Sequence, residues 1–220
     1  MEVKSSLQKV GWGLLALAVA AGIGFCWLMV LRFLFKKRGS RPCPYALAWL
    51  VENPIRRWYM SQVVDRVGIR PGELVLELGP GPGTFTVKAA LRAEPGGRLV
   101  SVDIQPKMIA AVEKKVRAAG LTNVETQVAS AYNLPLDDES VDRAFLVTVL
   151  QEIPDRQQAF AELRRVLKPE GILSITEELL DPNYRPVRTT ICWAEEAGFE
   201  LVERLSNGWT YTLNLQKRAG

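Results

Sequence analysis

The feature that most constrains this chain is an alternation of strand and helix patterns that begins at residue 74. Short apolar runs typical of buried strands alternate with amphipathic stretches that begin at proline or acidic residues and end at glycine. The predicted strands span residues 74–78, 98–104, 124–129, 143–149, 171–178, 199–205 and 210–216, and the predicted helices span residues 84–93, 106–120, 155–167 and 187–198. The turn Ser206-Asn207-Gly208 joins the last two strands as a hairpin. This order predicts an α/β domain with a doubly wound, mostly parallel sheet, helices on both faces and a C-terminal antiparallel hairpin.

An uncharged stretch of 21 residues, 11–31, precedes this domain. A helix of that length crosses a hydrocarbon core of about 30 Å. Five basic residues follow between positions 32 and 41, whereas two lysines precede the stretch. The positive-inside rule therefore predicts a single-pass transmembrane helix over residues 11–35, with the C-terminal domain in the cytoplasm. A cleaved signal peptide and a buried core helix are the alternatives, and the length of the uncharged stretch disfavours both.

The predicted organisation has four parts: an N-terminal tail at 1–10, the transmembrane helix at 11–35, a basic juxtamembrane segment with bridging helices at 36–70, and the α/β domain at 71–220. Proline at position 54 suits the first turn of a bridging helix that continues to residue 67. Two interpretations of the short helices within 44–67 stay open. They rest on lipid headgroups through Trp49, Trp58 and Tyr59, or they pack on the domain edge and cap the ligand pocket. Small residues within 18–24 would also allow two spans to pair.

The composition excludes several classes of function. The chain has no histidine, which removes Ser-His-Asp triads, histidine metal sites and imidazole bases. Its cysteines, Cys26, Cys43 and Cys192, lie far apart without a C-x-x-C pair, so we expect reduced thiols and no metal site. Residues 1–41 hold seven basic and one acidic residue, and the rest of the chain holds 21 basic and 23 acidic residues. The globular part therefore lacks the basic surface that nucleic-acid binding requires.

A glycine-rich loop follows the first predicted strand, with the sequence E-L-G-P-G-P-G at 77–83. Alternate glycines permit a tight turn and a close approach of a ligand to the backbone. The spacing departs from the G-x-G-x-x-G pattern of dinucleotide sites, and the two prolines remove N–H groups that a pyrophosphate needs. Asp103, at the end of the second strand, is placed to accept hydrogen bonds from ribose hydroxyls. Together they indicate a nucleoside ligand without a phosphate chain.

Four segments in register resemble the class I S-adenosylmethionine-dependent methyltransferases, and most closely the ubiquinone/menaquinone-type and small-molecule branch. They are ELGPGPG, VDIQPKMI, NLPLDDESVD and AELRRVLKPEG, and the resemblance covers about residues 50–217. It implies a Rossmann-like methyltransferase fold, a seven-stranded sheet in which the last strand inserts beside the fifth, and S-adenosylmethionine as the cofactor.

The resemblance also implies the cofactor-binding residues. The loop from Glu77 through Gly79, Gly81 and Gly83 would underlie the methionine part, Asp103 would hold the ribose hydroxyls, and Ile104 would lie against the adenine ring. After the third strand the family usually has Gly-Asp-Ala, whereas this chain has Ala129-Ser130-Ala131. We expect Ser130 and Ala131 to border the adenine, with the Ser130 hydroxyl as a weaker acceptor than a carboxylate.

Methyl transfer asks the protein mainly to align the acceptor and to exclude water, so no catalytic residue is assigned. A base helps when the acceptor is an amine or a phenol. The resemblance places Gln151 and Glu152 on the substrate side, and Glu177, Glu178 and Tyr184 beyond the fifth strand are further candidates. The alternative for Glu152 is a solvated carboxylate at the start of a helix.

The sequence therefore predicts a membrane-anchored methyltransferase that acts on a small, lipid-soluble acceptor. Phospholipid headgroups and prenylated quinone precursors are examples. A tethered enzyme meets a membrane-dissolved acceptor at high effective concentration, which favours this class. Three alternatives stay open: a non-catalytic membrane-anchored sensor or scaffold that binds S-adenosylmethionine, a soluble substrate with an anchor used only for placement, and an oxidoreductase, which the glycine spacing disfavours.

Overall fold

Seven strands form a single sheet in the computed structural model of this protein, which describes residues 42–48 and 52–218. The strands are β1 (Leu74–Leu78), β2 (Arg98–Asp103), β3 (Val124–Val128), β4 (Val141–Val147), β5 (Leu167–Glu178), β6 (Phe199–Ser206) and β7 (Thr210–Lys217). Their order across the sheet is β3-β2-β1-β4-β5-β7-β6. The strands β1 to β5 pair in parallel, and β7 is antiparallel to both β5 and β6.

Six α-helices connect or flank these strands within the described residues. They are α1 (Pro54–Tyr59), α2 (Val63–Val67), α3 (Thr86–Ala93), α4 (Pro106–Ala118), α5 (Arg156–Val166) and α6 (Val187–Glu196). Short 3-10 turns occur at Tyr45–Leu47 and Leu150–Glu152. The Asn53 side chain caps α1 and the Asp155 side chain caps α5, each accepting a backbone N–H of its first turn.

The hydrophobic core lies on both faces of the sheet because successive strand residues point to opposite sides. Val75 packs with α2 and α3 residues such as Val63 and Ala89, whereas the next residue, Leu76, packs with Phe160 of α5. All five side chains are buried. Continuous apolar runs in the central strands follow from this two-sided burial, as in other parallel sheets.

The predicted seven-stranded, mostly parallel sheet and its C-terminal hairpin are confirmed, including the insertion of β7 beside β5. The predicted bounds of two strands were wrong by two or more residues. The strand β4 starts at Val141 and ends at Val147, because Thr148 adopts a left-handed backbone conformation with φ +57° that ends the strand. The strand β5 begins at Leu167 rather than residue 171, because Leu167 is buried and pairs with Val141 directly after α5.

The single bridging helix predicted up to residue 67 was also wrong, since the structure has two helices, α1 and α2, separated by a turn at residues 60–62. The turn allows Tyr59, Met60 and Val63 to be buried together against the sheet. Tyr59 is only 8% exposed, so it is a core residue and the prediction of a headgroup anchor at that position fails.

The predicted transmembrane helix at 11–35 and Trp49 lie outside the described residues. Within residues 42–48 and 52–218, every helix is too short or too polar to cross a bilayer. The described residues belong to one unit that spans residues 40–220. The boundaries predicted at residues 10, 35 and 70 stay predictions.

Candidate active site

The glycine loop lies at the carboxyl end of β1, between β2 and β4. Gly79, Gly81 and Gly83 all have positive φ, at +72°, +55° and +82°. The Gly79 N–H donates to the carbonyl of Val102 at 2.8 Å, which holds the loop against β2. A β-carbon at Gly81 would meet open space, so this part of the loop leaves room for a ligand beside the backbone.

Glu77 is buried near the end of β1. Its carboxylate accepts hydrogen bonds from the hydroxyls of Thr86, at 2.7 Å, and Ser101. Burial raises the pKa of Glu77 to about 7, although both hydroxyls favour the charged form. The Glu77 side chain therefore joins β1 to β2 and to the start of α3. Its Oε1 atom has no hydrogen-bond partner among the described residues.

Asp103 and Ile104 follow at the carboxyl end of β2. The Asp103 carboxylate is largely buried and accepts the backbone N–H of Gln105 at 2.9 Å. Burial raises the pKa of Asp103, partly offset by hydrogen bonds from the backbone of Gln105 and Gly81. The Ile104 side chain is 57% exposed beside it. A buried carboxylate next to an exposed apolar side chain suits a ribose joined to a flat base.

Ser130 and Ala131 lie after β3 and are half-buried. The Ser130 hydroxyl accepts the backbone N–H of Tyr132 at 3.2 Å, which is a local turn contact. Ala131 packs against the core cluster on the α5 side of the sheet. Ala129 N–H donates to the carbonyl of Asp103 at 3.1 Å, so these residues lie beside the end of β2.

The predicted acceptor-side residues meet at the carboxyl ends of β4 and β5. Gln151 is buried, and its Nε2 donates to the carboxyl of Glu177, which is fully buried at the end of β5. Burial raises the pKa of Glu177 well above its ordinary value, and the nearby Asp181 and Glu152 raise it further. Tyr184 is half-buried, and its ring makes an edge contact with Tyr211 at 6.1 Å.

The Gln151–Glu177 pair has polar atoms that make no hydrogen bond. The Oε1 atoms of Gln151 and Glu177 and the Nε of Arg185 are buried without a hydrogen-bond partner among the described residues. Buried polar atoms in folded proteins are normally paired, so unpaired ones at the end of a sheet indicate a ligand site. Two oxygen atoms and one N–H group are therefore left unpaired where the methyl acceptor is expected.

Glu152 faces a residue that the sequence did not suggest. Its carboxylate accepts the backbone N–H of Cys43 at 3.0 Å, and the Cys43 carbonyl accepts the side-chain amide of Gln105 at 3.0 Å. The backbone at Cys43 thus spans from the loop after β2 to the loop after β4. Burial raises the pKa of Glu152 to about 8. Glu152 is half-buried in the 3-10 turn Leu150–Glu152, and its role towards the acceptor stays a prediction.

Glu178 points away from the Gln151–Glu177 pair and binds α1. It accepts the Arg56 Nε at 2.8 Å and the Tyr59 hydroxyl, and all three residues are buried. The bonds fix the N-terminal helix to the end of β5. Glu178 is therefore part of the domain's framework, and its candidacy as an acceptor-facing residue is not supported by this geometry.

Sequence reasoning assigned no individual role to Thr148, Val149, Cys43 or Gln105. The positive φ of Thr148 is uncommon for a β-branched residue, and Val149 lies directly against Gly79. The contacts of Cys43 and Gln105 join residues 62 positions apart. No local pattern signals such contacts.

The residues present fit S-adenosylmethionine. The loop offers open space at Gly81, the Asp103 carboxylate accepts hydroxyls, and Ile104 offers an apolar face, while few groups are suited to a phosphate. The assignment of Glu77, Gly79, Gly81, Gly83, Asp103, Ile104, Ser130 and Ala131 to the cofactor, and of Gln151, Glu152 and Tyr184 to the acceptor, stays a prediction.

Comparison with known proteins agrees with this geometry. Residues 76–175 match the family described as "Methyltransferase domain". The chain is 33% identical over 137 residues to the ubiquinone/menaquinone biosynthesis C-methyltransferase of Pasteurella multocida, which covers 60% of this chain and 51% of that protein. It is 33% identical over 151 residues to the arsenite methyltransferase of Halobacterium salinarum, and the match covers 60% of this chain and 39% of that protein. The chain thus spans about half or less of the length of these relatives.

The fold is shared with solved structures. A SAM-dependent methyltransferase from Aquifex aeolicus superposes with a TM-score of 0.75 at 22% identity, covering 80% of this chain and 100% of that chain. A methyltransferase from Sulfolobus solfataricus, described as a type 11 enzyme, superposes with a TM-score of 0.59 at 17% identity. Residues 76–175 therefore match a methyltransferase domain in sequence, the chain shares the fold of these solved structures, and the similarity implies S-adenosylmethionine as the cofactor.

Proposed function

We propose that this protein is a membrane-anchored methyltransferase that methylates a small, neutral, lipid-soluble acceptor. The observation that carries the proposal is the pair Gln151–Glu177, whose unpaired oxygen atoms lie at the carboxyl ends of β4 and β5 beside the glycine loop. S-adenosylmethionine, when bound, supplies an activated methyl group on a sulfonium. The protein then has to hold the acceptor in line and keep water away.

The residues on the cofactor side would bind by hydrogen bonding and close approach. The glycine loop lets the ligand reach the backbone, the Asp103 carboxylate accepts two ribose hydroxyls, and Ile104 covers one face of the base. Ser130 contributes a neutral acceptor whose other lone pair is used by the N–H of Tyr132. The loss of the family's aspartate at this position predicts weaker selection for adenine than in relatives that have it.

The acceptor side favours a neutral hydrogen-bond donor. Burial raises the pKa values of Glu152 and Glu177, and Asp181 raises both further, so these carboxyls favour their neutral forms and suit a neutral acceptor. A phenol or enol hydroxyl can donate to the free oxygen of Gln151 or Glu177 and accept from Arg185. A quinone precursor has this chemistry, whereas a phosphate headgroup does not. Gln151 and Glu177 would orient such a hydroxyl.

The names of the relatives also suggest arsenite, but the cysteines of the described residues argue against it. Trivalent arsenic is bound by thiolates, and the thiolate rather than the thiol is the ligand. Of the two cysteines in the described residues, Cys192 lies on α6 and Cys43 lies near Glu152. Burial, reinforced by Glu152, raises the pKa of Cys43 to about 11, so its thiol stays protonated at neutral pH.

Membrane anchoring through residues 11–35 completes the proposal, with the domain on the cytoplasmic side. It rests on the uncharged stretch at 11–31 and on the basic residues at 32–41. A tether of this kind raises the effective concentration of a membrane-dissolved acceptor and does little for a soluble one. The basic residues also attract anionic lipid.

The test uses the full-length protein in vesicles of phosphatidylcholine and phosphatidylglycerol with S-adenosylmethionine carrying a radiolabelled methyl group. A prenylated hydroquinone, its water-soluble headgroup without the prenyl chain, and arsenite are offered in parallel. We expect transfer to the prenylated hydroquinone to exceed transfer to the other two. Faster transfer to the soluble headgroup would overturn the lipid-soluble acceptor. Cofactor binding without transfer to any membrane-extract component would favour the sensor.

A further inference from the structure

Five of the exposed apolar side chains lie on segments that touch one another, and we name this group the apolar rim: Ile55, Trp58, Leu179, Leu180 and Trp209. Trp58 is 72% exposed and Trp209 is 45% exposed. The segments that carry them touch one another. The Leu179 N–H donates to the Trp209 carbonyl at 2.8 Å, and the rings of Tyr59 and Trp209 lie 6.1 Å apart. The rim is therefore a continuous surface built from α1, the end of β5 and the β6–β7 turn.

The rim lies at the carboxyl end of the sheet. Leu179 and Leu180 directly follow β5, and Trp209 precedes Thr210, which pairs with Glu178 at the end of β5. The side chain of Asn207, in the same turn as Trp209, donates to the carbonyl of Tyr59 at 2.9 Å. This surface thus lies at the same end of β5 as Glu177.

The chain enters the domain at the same end. Cys43, near the first described residue, is bonded to Gln105 after β2 and to Glu152 after β4. The uncharged stretch ends at residue 31, eleven residues before Pro42. Even a fully extended segment of that length reaches only about 40 Å. A tether at residues 11–31 would therefore be attached to the domain at the carboxyl end of the sheet.

The opposite end of the sheet has a different surface. A groove of about 860 Å³ there is lined mainly by charged residues of both signs. Those residues include Asp138, Glu139, Arg164, Arg165, Glu170, Glu200 and Lys217. A domain with apolar side chains at its tethered end and charges at the far end has a preferred orientation on a membrane.

We propose that the apolar rim inserts into the headgroup region of an anionic bilayer, so that the acceptor site opens towards the lipid. Indole rings favour the membrane interface, and Trp58 and Trp209 would lie there as anchors. The exposed Arg57 beside Trp58 and the basic residues at 32–41 provide the attraction to anionic lipid. The inference rests on the proposed function, because it assumes a membrane tether and a membrane-dissolved acceptor.

The experiment places an environment-sensitive fluorophore at single positions of the full-length chain. The variant Trp209→Cys is labelled after Cys26, Cys43 and Cys192 are replaced by serine, and Glu200→Cys in the charged groove is the matched control. The protein is reconstituted in vesicles of phosphatidylcholine and phosphatidylglycerol. We expect blue-shifted emission at position 209, quenched by nitroxide lipids, and aqueous emission at position 200.

Each outcome separates the two proposals. A chain that does not float with vesicles overturns both the anchor and the rim. A chain that floats but gives the same aqueous emission at positions 209 and 200 overturns the rim alone. The same labelled protein is also measured in detergent at several protein concentrations. Emission at position 209 that shifts to the blue as the protein concentration rises would show that a second copy covers the rim, and this outcome also overturns bilayer insertion.

A functional readout follows from the same geometry. The double variant Trp58→Ser/Trp209→Ser is expected to raise the apparent KM for a membrane-dissolved acceptor several-fold and to leave the affinity for S-adenosylmethionine unchanged. An unchanged KM in a folded variant contradicts the proposal.

Discussion

Gly79 and Val149 are packed so closely that a β-carbon on Gly79 would lie 2.5 Å from the Cγ2 methyl of Val149. Gly79 is the first glycine after β1, and Val149 follows β4. The contact therefore joins the predicted cofactor loop to the acceptor side of the site. Gly79 also has φ +72°, a conformation that L-residues rarely adopt.

The first prediction concerns this contact. Replacing Gly79 by alanine forces either the loop or Val149 to move, and overpacking of this kind costs about 1–3 kcal/mol of unfolding free energy. Gly96→Ala is the matched control, because Gly96 has φ +81° but faces open space. We expect the control to lose only about 1 kcal/mol from backbone strain. Urea denaturation measures the free energy of unfolding of both variants. Failure of Val149→Ala to restore stability in the Gly79→Ala background would contradict the packing argument.

The second prediction concerns the ribose. Removing the Asp103 carboxylate by Asp103→Ala leaves two hydroxyls without an acceptor, so the affinity for S-adenosylmethionine is expected to fall by about 1–3 kcal/mol. Calorimetric titration of the full-length protein measures the change. Asp138→Ala removes an exposed carboxylate that binds Arg165 at the other end of the sheet, and it should bind cofactor like the wild type. Equal affinity in both variants would show that Asp103 is not the ribose acceptor.

The third prediction concerns pH and Glu152. Burial raises its pKa to about 8 from an ordinary value of 4.5. The folded protein therefore keeps this proton in a pH range where the unfolded chain has released it. The resulting stabilisation is complete below the unfolded pKa and is lost as the pH rises through the folded pKa. Between about pH 5 and pH 8, the free energy of unfolding should fall more steeply for the wild type than for Glu152→Gln.

Urea denaturation at a series of pH values tests this slope. Glu170→Gln, which changes an exposed carboxyl near the start of β5, should keep the wild-type dependence. A Glu152→Gln variant with the same slope as the wild type would mean that Glu152 is ionised throughout the range.

The order of elements was predictable because each one is specified locally. Alternating apolar runs, Pro106 at the start of α4, and Gly198 after α6 mark the elements without reference to the rest of the chain. The last strand's position beside β5 came from the family resemblance. It is consistent with Thr212 and Thr176, which share a buried hydrogen bond across that pair.

The parts that sequence reasoning missed depend on contacts between distant segments. Glu178 looked like a free carboxylate beyond β5, but Arg56 and Tyr59 bind it from more than 100 positions away. Cys43 looked like an isolated thiol, and its backbone proved to be what bridges Gln105 and Glu152. Neither the Glu178 contacts nor the Cys43 contacts produce a periodic pattern in the sequence, because each depends on a single backbone or side-chain group.

The fourth prediction concerns the ion pair of Arg56 and Glu178. Both side chains are buried, so Arg56→Ala leaves a buried carboxylate without its cation and is expected to cost about 3–5 kcal/mol of unfolding free energy. The double variant Arg56→Met/Glu178→Met removes both charges and should recover most of the loss. Thermal unfolding of the three proteins checks this. A double variant no more stable than Arg56→Ala would show that packing, not charge, holds α1 to β5.

The last prediction separates orientation of the acceptor from support of the fold. Glu177→Leu keeps the approximate size of the side chain but removes both of its oxygen atoms, so Gln151 and the acceptor each lose a hydrogen-bonding partner. Burial raises the pKa of Glu177, which favours a role in orienting the acceptor over a role as a base. We expect kcat/KM to fall about tenfold to a hundredfold, as for the loss of one buried hydrogen bond, with cofactor affinity unchanged. Ser174→Ala is the control, because Ser174 lies on the same strand and bonds Asn214 at 2.6 Å away from the site. It should lower the melting temperature and leave kcat/KM intact. Equal kcat/KM in Glu177→Leu and the wild type would assign the Gln151–Glu177 pair to the framework instead.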